Sequence, residues 1–292
     1  MYKTLDAHLL KIPGTIPELA PLAAERGFEG INVPERILRD ERMAREALAA
    51  VRHYDLQWGL LPTPVDFFHE DIEGGVFEDA LKTMAQWAAI GEKLGVKYAY
   101  NHIWPSSSKR AFEENFEWHV ERLKRIQTIF ANHGIRYGLE FLGPYELRVR
   151  NRHPFVHTLS GVLAIADAAG GEAGFLFDTY HWYCGSGRLD DVFYAAQHTS
   201  RMVNVHLNDG VAGRAPDEQR DLERAMPMTT GLIDSAFIYN MFKESGYEGP
   251  VMCEPMAPST DRFATAPQEQ SIAEVMEAFK RVERQVAKED AN

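Results

Sequence analysis

The fold is decided by three consecutive segments, GIRYGLEF (134–141), TLSGVLAIADAAG (158–170) and GFLFD (174–178). The first and the last are short, apolar and rich in strand-forming residues, whereas the middle segment has the period of a helix and ends at a glycine. Two strands joined by a crossover helix form a βαβ unit, in which the strands run parallel. These segments therefore predict an α/β protein built around a parallel sheet.

The same alternation continues in both directions along the chain. The predicted strands are Leu5–Leu10, Phe28–Val33, Gln57–Pro62, Tyr98–Ile103, Arg136–Phe141, Gly174–Asp178, Met202–Leu207 and Pro250–Glu254. The predicted helices that follow them are Ile16–Arg26, Glu41–Tyr54, Phe77–Leu94, the apolar stripe Phe112–Phe130, Thr158–Ala169, Asp190–Gln197, Ser235–Glu244 and Ser271–Ala287. Eight such units in 292 residues, with no low-complexity linker, predict a (β/α)8 TIM barrel in which residues 1–292 form a single domain. An open doubly wound sheet is the alternative, but it would usually carry a Gly-rich phosphate turn, and the sequence contains none.

Charge and cysteine content limit the partners and the chemistry. The formal net charge is −12, which disfavours binding to nucleic acid or to an acidic membrane surface. No segment approaches the roughly 18 uninterrupted apolar residues of a membrane span, and the first residues do not resemble a signal peptide, so we expect a cytoplasmic protein. Cys184 and Cys253 are too few for a disulfide framework and are not spaced as a zinc pair. A metal site must therefore use oxygen and nitrogen ligands.

An ionisable residue is the last or the penultimate residue of each of the last four predicted strands: Glu140, Asp178, His206 and Glu254. Because strand side chains alternate, these four face the barrel axis if their bulky neighbours face the helices. Three carboxylates at one buried barrel mouth repel one another unless a cation or protons neutralise them. We therefore expect one divalent metal ion, with Mn²⁺ preferred and Mg²⁺, Co²⁺ or Zn²⁺ as alternatives.

Four motifs around these residues carry a family resemblance: GLEFLG (138–143), FDTYHW (177–182), VHLND (205–209) and CEP (253–255). They resemble the xylose isomerase-like TIM barrels, the sugar phosphate isomerase/epimerase family, and most closely its branch of inosose isomerases and ketose 3-epimerases. The resemblance implies that Glu140, Asp178, His206 and Glu254 bind one metal ion. It also implies that Glu140 and Glu254 are the catalytic acid/base pair and that His181 lies beside the substrate.

A metal site with two glutamates is suited to proton transfer on a sugar, a reaction of carbohydrate metabolism. We expect isomerisation or epimerisation of a keto-sugar or keto-cyclitol, by proton transfer through a metal-stabilised enediolate with the two glutamates as acid and base. The sequence leaves open which glutamate abstracts the proton. The candidate substrate-binding residues are His181, His102, Trp182, Arg214 and Asp209. Each has a structural alternative: orienting Asp178 for His181, core packing for Trp182, a solvated loop charge for Arg214 and support of His206 for Asp209.

Three other functions are weighed against this one. Metal-dependent lyases or dehydratases of keto-cyclitols, dehydroshikimate or 3-keto-glycosides begin with the same proton abstraction and are the main alternative. An AP endonuclease-like phosphodiesterase needs an Asp-x-His pair after the strand-seven histidine, and residues 225–231 contain neither residue. A non-catalytic sugar-binding barrel would not need both glutamates. The expected partner is thus a small-molecule sugar or cyclitol, with assembly into a homo-oligomer left open.

Overall fold

Parallel strands form the central barrel of the protein. The computed structural model describes residues 1–289, so residues 290–292 of the predicted domain lie outside the described part. The strands are β1 (Tyr2–Leu5), β2 (Gly30–Ile31), β3 (Gln57–Trp58), β4 (Leu60–Leu61), β5 (Tyr98–Ile103), β6 (Ser106–Ser107), β7 (Arg136–Phe141), β8 (His153–Pro154), β9 (Gly174–Asp178), β10 (Met202–Leu207) and β11 (Pro250–Cys253). Within residues 1–289, nine of them form one parallel sheet in the order β3-β2-β1-β11-β10-β9-β7-β5-β4. The short strands β6 and β8 pair antiparallel outside the barrel.

The barrel closes at Gly59, because the two end strands of the sheet, β3 and β4, are consecutive in the chain. The amide of Gly59 donates to the carbonyl of Ile31 at 3.0 Å, and the amide of Val33 donates to the carbonyl of Leu60 at 3.1 Å. A Cβ atom at position 59 would lie 2.0 Å from Oδ1 of Asn32, so only glycine fits. β3 and β4 therefore act as one interrupted strand, and the predicted (β/α)8 TIM barrel is confirmed.

Helices surround the barrel. They are α1 (Ile16–Arg26), α2 (Glu41–His53), α3 (Gly74–Leu94), α4 (Phe112–Ala131), α5 (Tyr145–Arg148), α6 (Leu159–Ala168), α7 (Thr179–Gly185), α8 (Leu189–Gln197), α9 (Ser235–Glu244), α10 (Ser259–Phe263) and α11 (Gln268–Glu289). Short 3₁₀ turns cover Glu35–Leu38, Thr199–Arg201 and Pro216–Glu218. α1 packs on α2 and α11, α4 packs on α3 and α6, and α9 packs on α8 and α11. None of the helices in the described part is long and apolar enough to span a membrane.

The first strand was predicted wrongly. The apolar run Leu5–Leu10 suggested a strand, but β1 covers Tyr2–Leu5 and the chain then turns. The side chain of Asp6 accepts from the amide of Leu9 at 2.9 Å, and the carbonyl of Asp6 accepts from the amide of Leu10 at 3.1 Å. Leu10 lies in this turn and is fully buried, so the burial of an apolar side chain here does not require a strand.

Other bounds differ by a few residues for identifiable reasons. Phe28, predicted to begin the second strand, bonds back to the carbonyl of Ala23 beyond the left-handed Gly27 that ends α1. Thr158, predicted as the first helical residue, instead precedes α6 and accepts from the amide of Gly161. The helix α7, directly after β9, was not predicted at all.

Alternating side chains of the strands separate the core from the barrel mouth. Phe177 in β9 packs edge to face on Phe242 of α9, with ring centroids 5.0 Å apart. Leu139, Val205 and Cys253 on the neighbouring strands are also buried, at most 2% exposed. Because these residues pack into the core on the helix side, their neighbours in sequence face the barrel axis.

Candidate active site

The four predicted metal ligands meet at the carboxyl end of the barrel. Nδ1 of His206 lies 3.4 Å from Oε1 of Glu140, 3.4 Å from Oδ2 of Asp178 and 3.1 Å from Oε1 of Glu254. Their exposed fractions are 4% or less. We call Glu140, Asp178, His206 and Glu254 the carboxylate cluster. The structure thus brings together four residues that are spread over more than a hundred positions of the chain.

The donor set of this cluster fits a divalent cation. One imidazole nitrogen can donate a single hydrogen bond, yet three carboxylate oxygens surround Nδ1 of His206. Within the described residues, this nitrogen and Oε1 of Glu140 have no partner with hydrogen-bond geometry. Buried polar atoms without partners are costly, and a cation shared by these oxygens and the ring would remove that cost. Ligand atoms of Asp178, His206 and Glu254 lie within 4.8 Å of one another, as a metal site requires.

The two carboxylate oxygens of Asp178 have different roles: one caps a helix and the other belongs to the carboxylate cluster. Oδ1 caps the first turn of α7, accepting from the amides of Tyr180 at 2.7 Å and His181 at 3.1 Å. Oδ1 also accepts from Nδ2 of Asn208 at 3.1 Å. Oδ2 is the oxygen that faces His206. The cap therefore fixes the carboxylate in the orientation that the cluster uses.

His181 lies beside the cluster because α7 begins at the end of β9. Its Nδ1 accepts from the amide of Gly143 at 3.4 Å, and its Nε2 lies 4.0 Å from Oδ2 of Asp178. A Cβ atom at position 143 would come within 1.9 Å of the His181 carbonyl, so glycine at 143 permits this approach. Burial lowers the pKa of His181, against the opposing charge of Asp178. The ring is thus favoured in its neutral form.

Arg224 is a site residue that the sequence reasoning missed. Its Nη1 donates to Oδ2 of Asp178 at 2.9 Å and also contacts Oε2 of Glu254. Its Nη2 donates to Oδ1 of Asp221 at 2.8 Å and lies 3.2 Å from Nε2 of His181. The side chain is 3% exposed and its guanidinium lies 4.9 Å from the ring centre of Tyr180. Arg214 and Arg220 lie in the same loop, and no local pattern singles out Arg224.

The charges around the cluster shift the pKa values of its members in opposite directions. Burial favours the neutral form of Asp178, but His181 and Arg224 hold the pKa of this carboxyl well below its usual range. Burial raises the pKa of Glu254 to about 7, although His206 and Arg224 oppose the shift. Glu254 therefore binds a proton more readily than Asp178 in the same site.

His102 occupies the neighbouring strand. It stands in β5 opposite Glu140 of β7, and its Nε2 lies 3.0 Å from Oδ2 of Asp66. The same oxygen accepts from Nε1 of Trp104 at 2.6 Å. Burial lowers the pKa of His102, but the Asp66 carboxylate outweighs it and the net shift is upward. We call these two residues the Asp66–His102 pair.

The three remaining candidates make mainly structural contacts. Nε1 of Trp182 donates to the carbonyl of Arg188 at 2.9 Å, and its side chain is 8% exposed. Arg214 forms an ion pair of 2.6 Å with Glu223. The fully buried Asp209 accepts from backbone amides between Thr229 and Ile233, with both oxygens engaged. Asp209 therefore stabilises the loop that carries Arg224.

Comparisons with known proteins agree with the fold. A structure of a xylose isomerase domain protein from Alicyclobacillus acidocaldarius is 24% identical, covers 98% of each chain and superposes with a TM-score of 0.78. The structure of an IolI protein with a bound zinc atom is 18% identical over 99% of each chain, with a TM-score of 0.77. A D-psicose 3-epimerase with D-tagatose from Clostridium cellulolyticum H10 is 14% identical over 98% of this chain and 99% of that one, with a TM-score of 0.72.

No curated protein matches the sequence significantly. The model of the xylose isomerase-like TIM barrel family, in contrast, matches residues 20–282. Since this match spans most of the chain, the protein belongs to the xylose isomerase-like TIM barrel family.

Proposed function

We propose that the protein is a divalent-metal-dependent isomerase or epimerase that acts on a keto-sugar or a keto-cyclitol. The observation that carries the proposal is the carboxylate cluster, in which three carboxylate oxygens surround one nitrogen of His206. The fold similarity to a zinc-bound IolI protein and to a D-psicose 3-epimerase supports it. The residues of the cluster would hold one cation through oxygen and nitrogen atoms.

Glu140 and Glu254 would exchange a proton with a ligand at the cluster. They come from β7 and from the end of β11, with β9 and β10 between these strands, so they approach from different sides. When bound, the cation would polarise the carbonyl beside the carbon that exchanges its proton. Two carboxylates on different sides of a ligand can remove and return the proton in turn.

Arg224 and His181 would bind and orient the substrate. Arg224 presents a buried guanidinium at the cluster, where it attracts oxygens that gain negative charge during proton abstraction. His181 is neutral beside it, and because its Nδ1 accepts from the amide of Gly143, its Nε2 carries the proton and can donate a hydrogen bond to a substrate oxygen.

A metal-dependent lyase is the second candidate, because of the Asp66–His102 pair. Elimination of a hydroxyl group needs a proton donor in addition to the base that abstracts the first proton. His102 stands next to Glu140 across two paired strands, and its Nε2 lies 3.0 Å from Oδ2 of Asp66. An elimination reaction would use this third acid/base group, which a simple epimerisation does not need.

Proton exchange in D₂O, followed by NMR, tests the proposal. The panel is 2-keto-myo-inositol, fructose, psicose and 3-dehydroshikimate, with Mn²⁺ added and then removed by a chelator. Metal-dependent deuterium uptake with a new isomer supports the isomerase or epimerase, and loss of substrate to an alkene or enone moves the assignment to the lyase.

The matched variants are Glu254→Gln, which should abolish exchange, and Glu172→Gln, an exposed acid just before β9 at the opposite end of the barrel, which should not. Exchange that persists in Glu254→Gln or without metal would overturn the mechanism.

A further inference from the structure

A cavity opens on the same face of the barrel as the carboxylate cluster. Its volume is about 530 Å³, within the range of small-molecule sites. It is formed by the segments that follow the carboxyl ends of β1 and β2, residues 6–14 and 32–39. In a TIM barrel this face carries the substrate, whereas the opposite face serves stability.

Asn32 connects this cavity to the cluster. It lines the cavity, and its Nδ2 donates to Oδ2 of Asp6 at 2.6 Å and lies 3.2 Å from the sulfur of Met252. Met252 lies in β11 and precedes Glu254, the first residue after this strand, by two positions, so the alternation of side chains directs both towards the barrel axis. A ligand that extends from the cluster past Glu254 on this face would therefore approach Asn32 and the cavity that it lines.

The outer wall of the cavity is rich in cations, although the whole chain has a net charge of −12. Lys11, Arg36 and Arg39 line it together with the acids Asp6 and Glu35. Lys11 is paired with Asp261 at 2.7 Å, and Nε of Arg39 donates to Glu35 at 2.8 Å. Arg36 differs from both, because no carboxylate in residues 1–289 forms an ion pair with it.

Among residues 1–289, no side chain accepts a hydrogen bond from the guanidinium of Arg36. It donates to the carbonyl of Gly14, which is uncharged. The charge of Arg36 acts on Glu18, but the Oε2 atom of Glu18 accepts from the amide of Thr15 at 2.7 Å and from its hydroxyl at 2.9 Å at the start of α1. Arg36 therefore offers most of its hydrogen-bond donors to the cavity and to solvent.

The loop that forms the facing wall is held in an unfavourable conformation. Lys11 has a φ of 57°, in the left-handed region that residues with a side chain rarely adopt. Two backbone bonds fix it, from Lys11 to the carbonyl of His8 and from Ile12 to the carbonyl of Ala7. The buried side chains of Leu10 and Ile12 anchor the turn in the core. Strained positions held in this way concentrate at ligand sites.

We infer that this cavity receives the end of the substrate remote from the carboxylate cluster and that Arg36 binds an anionic group there, a carboxylate or a phosphate. The inference rests on the proposed function for the placement of the substrate, and it narrows the substrate to an acidic keto-sugar or keto-cyclitol. An anion at Arg36 gains charge-assisted hydrogen bonds that a neutral sugar hydroxyl does not offer. Arg36 is thus a specificity residue and takes no part in proton transfer.

Binding, measured by calorimetry with the Mn²⁺-loaded protein, tests this inference. The probes are D-fructose, D-fructose 6-phosphate and D-fructuronate, which share a keto-sugar and differ in the remote group. The wild type should bind at least one of the two acids about tenfold or more tightly than D-fructose, and the better acid identifies the anion. Raising the salt concentration should weaken this preference.

The variants separate the role of Arg36 from general charge effects. Arg36→Met should remove the preference for the acid and leave the affinity for D-fructose unchanged, and Arg36→Lys should retain part of the preference. The matched control is Arg52→Met, since Arg52 is exposed in the last turn of α2, at the opposite end of the barrel. Equal affinity of wild type and Arg36→Met for the acids, or no acid binding at millimolar concentration, would overturn the inference.

The two sets of experiments distinguish failure of the proposed function from failure of the cavity assignment. An acid preference that depends on Arg36, without proton exchange on any probe, would support the cavity assignment and contradict the reaction. Proton exchange on the probes without any Arg36-dependent preference for the acids would support the reaction and contradict the cavity assignment.

Discussion

Nη1 of Arg224 donates a hydrogen bond of 2.9 Å to Oδ2 of Asp178, the carboxylate oxygen that also faces His206. Arg224, a loop residue, thus supplies a permanent positive charge to the carboxylate cluster, whose four members come from strand ends. Both side chains are buried, with exposed fractions of 3% and 0%. Since neither charge can be solvated by water, each depends on the other and on any cation bound beside them.

Replacement of Arg224 by methionine should destabilise the metal-free protein by roughly 3 kcal/mol, because it leaves buried carboxylates without their cation. The loss should be smaller with Mn²⁺ present, since a metal ion compensates the same charges. Urea unfolding with and without Mn²⁺ measures both values. The control is Arg214→Met, which removes a partly exposed ion pair with Glu223 and should change stability by less than about 1 kcal/mol. Equal losses for the two variants would contradict the central position given to Arg224.

Removal of a cluster carboxylate should weaken metal binding. Glu140→Gln takes away a buried oxygen that has no hydrogen-bond partner in the described structure, and we expect the affinity for Mn²⁺ to fall at least about tenfold. Isothermal titration calorimetry gives the affinities, and Glu172→Gln is the control with the same chemical change. At a metal concentration a hundred times the dissociation constant, binding should stabilise the wild type by about 2.7 kcal/mol. No heat of binding for the wild type would refute the metal site.

The central strands and the cluster could be predicted because their signals are local. The strands β5, β7, β9 and β10 agree with the predicted bounds, since each is a short apolar run that ends close to a polar residue. The identity of the residue at each strand end, together with side-chain alternation, was enough to bring Glu140, Asp178, His206 and Glu254 to one mouth.

Features set by tertiary contacts could not be predicted. The path of the loop 208–231 depends on Asp209, whose carboxylate holds the backbone from Thr229 to Ile233, and no local pattern reveals which arginine this loop directs inward. The turn after β1 was not predicted, for a related reason. Leu9 and Leu10 extend an apolar run, and only the hydrogen bond from the amide of Leu9 to Asp6 shows that the strand has ended.

Gly59→Ala should destabilise the barrel. The new methyl group would lie 2.0 Å from Oδ1 of Asn32 and 2.5 Å from Cγ2 of Thr4, at the point where β3 and β4 close the sheet. Relief requires a shift of buried groups, and we expect a loss of about 1–3 kcal/mol in the free energy of unfolding. Gly75→Ala is the control, because nothing lies within 4 Å of a Cβ atom there and alanine favours the helix α3. If Gly59→Ala were as stable as Gly75→Ala, the closure at this glycine would be wrong.

His119 should make stability depend on pH. It is buried in α4, its Nδ1 lies 2.7 Å from the carbonyl of Asn115, and its ring stacks between Phe68 and Phe155. Burial, assisted by the charge of Arg122, lowers the pKa of His119 to about 3, whereas an unfolded histidine titrates near 6.5.

The folded protein keeps this ring neutral while the unfolded chain takes up a proton, so the contribution of His119 to stability is complete above about pH 6.5. It decreases as the pH falls towards 3, by up to about 1.4 kcal/mol per pH unit. Replacement of His119 by phenylalanine removes this titration and keeps an aromatic ring in the stack. Urea unfolding between pH 7 and 4 should therefore show a shallower loss of stability for His119→Phe than for the wild type. The exposed His53→Phe in α2 should follow the wild type, and parallel pH profiles for all three proteins would show that His119 is protonated in the folded state.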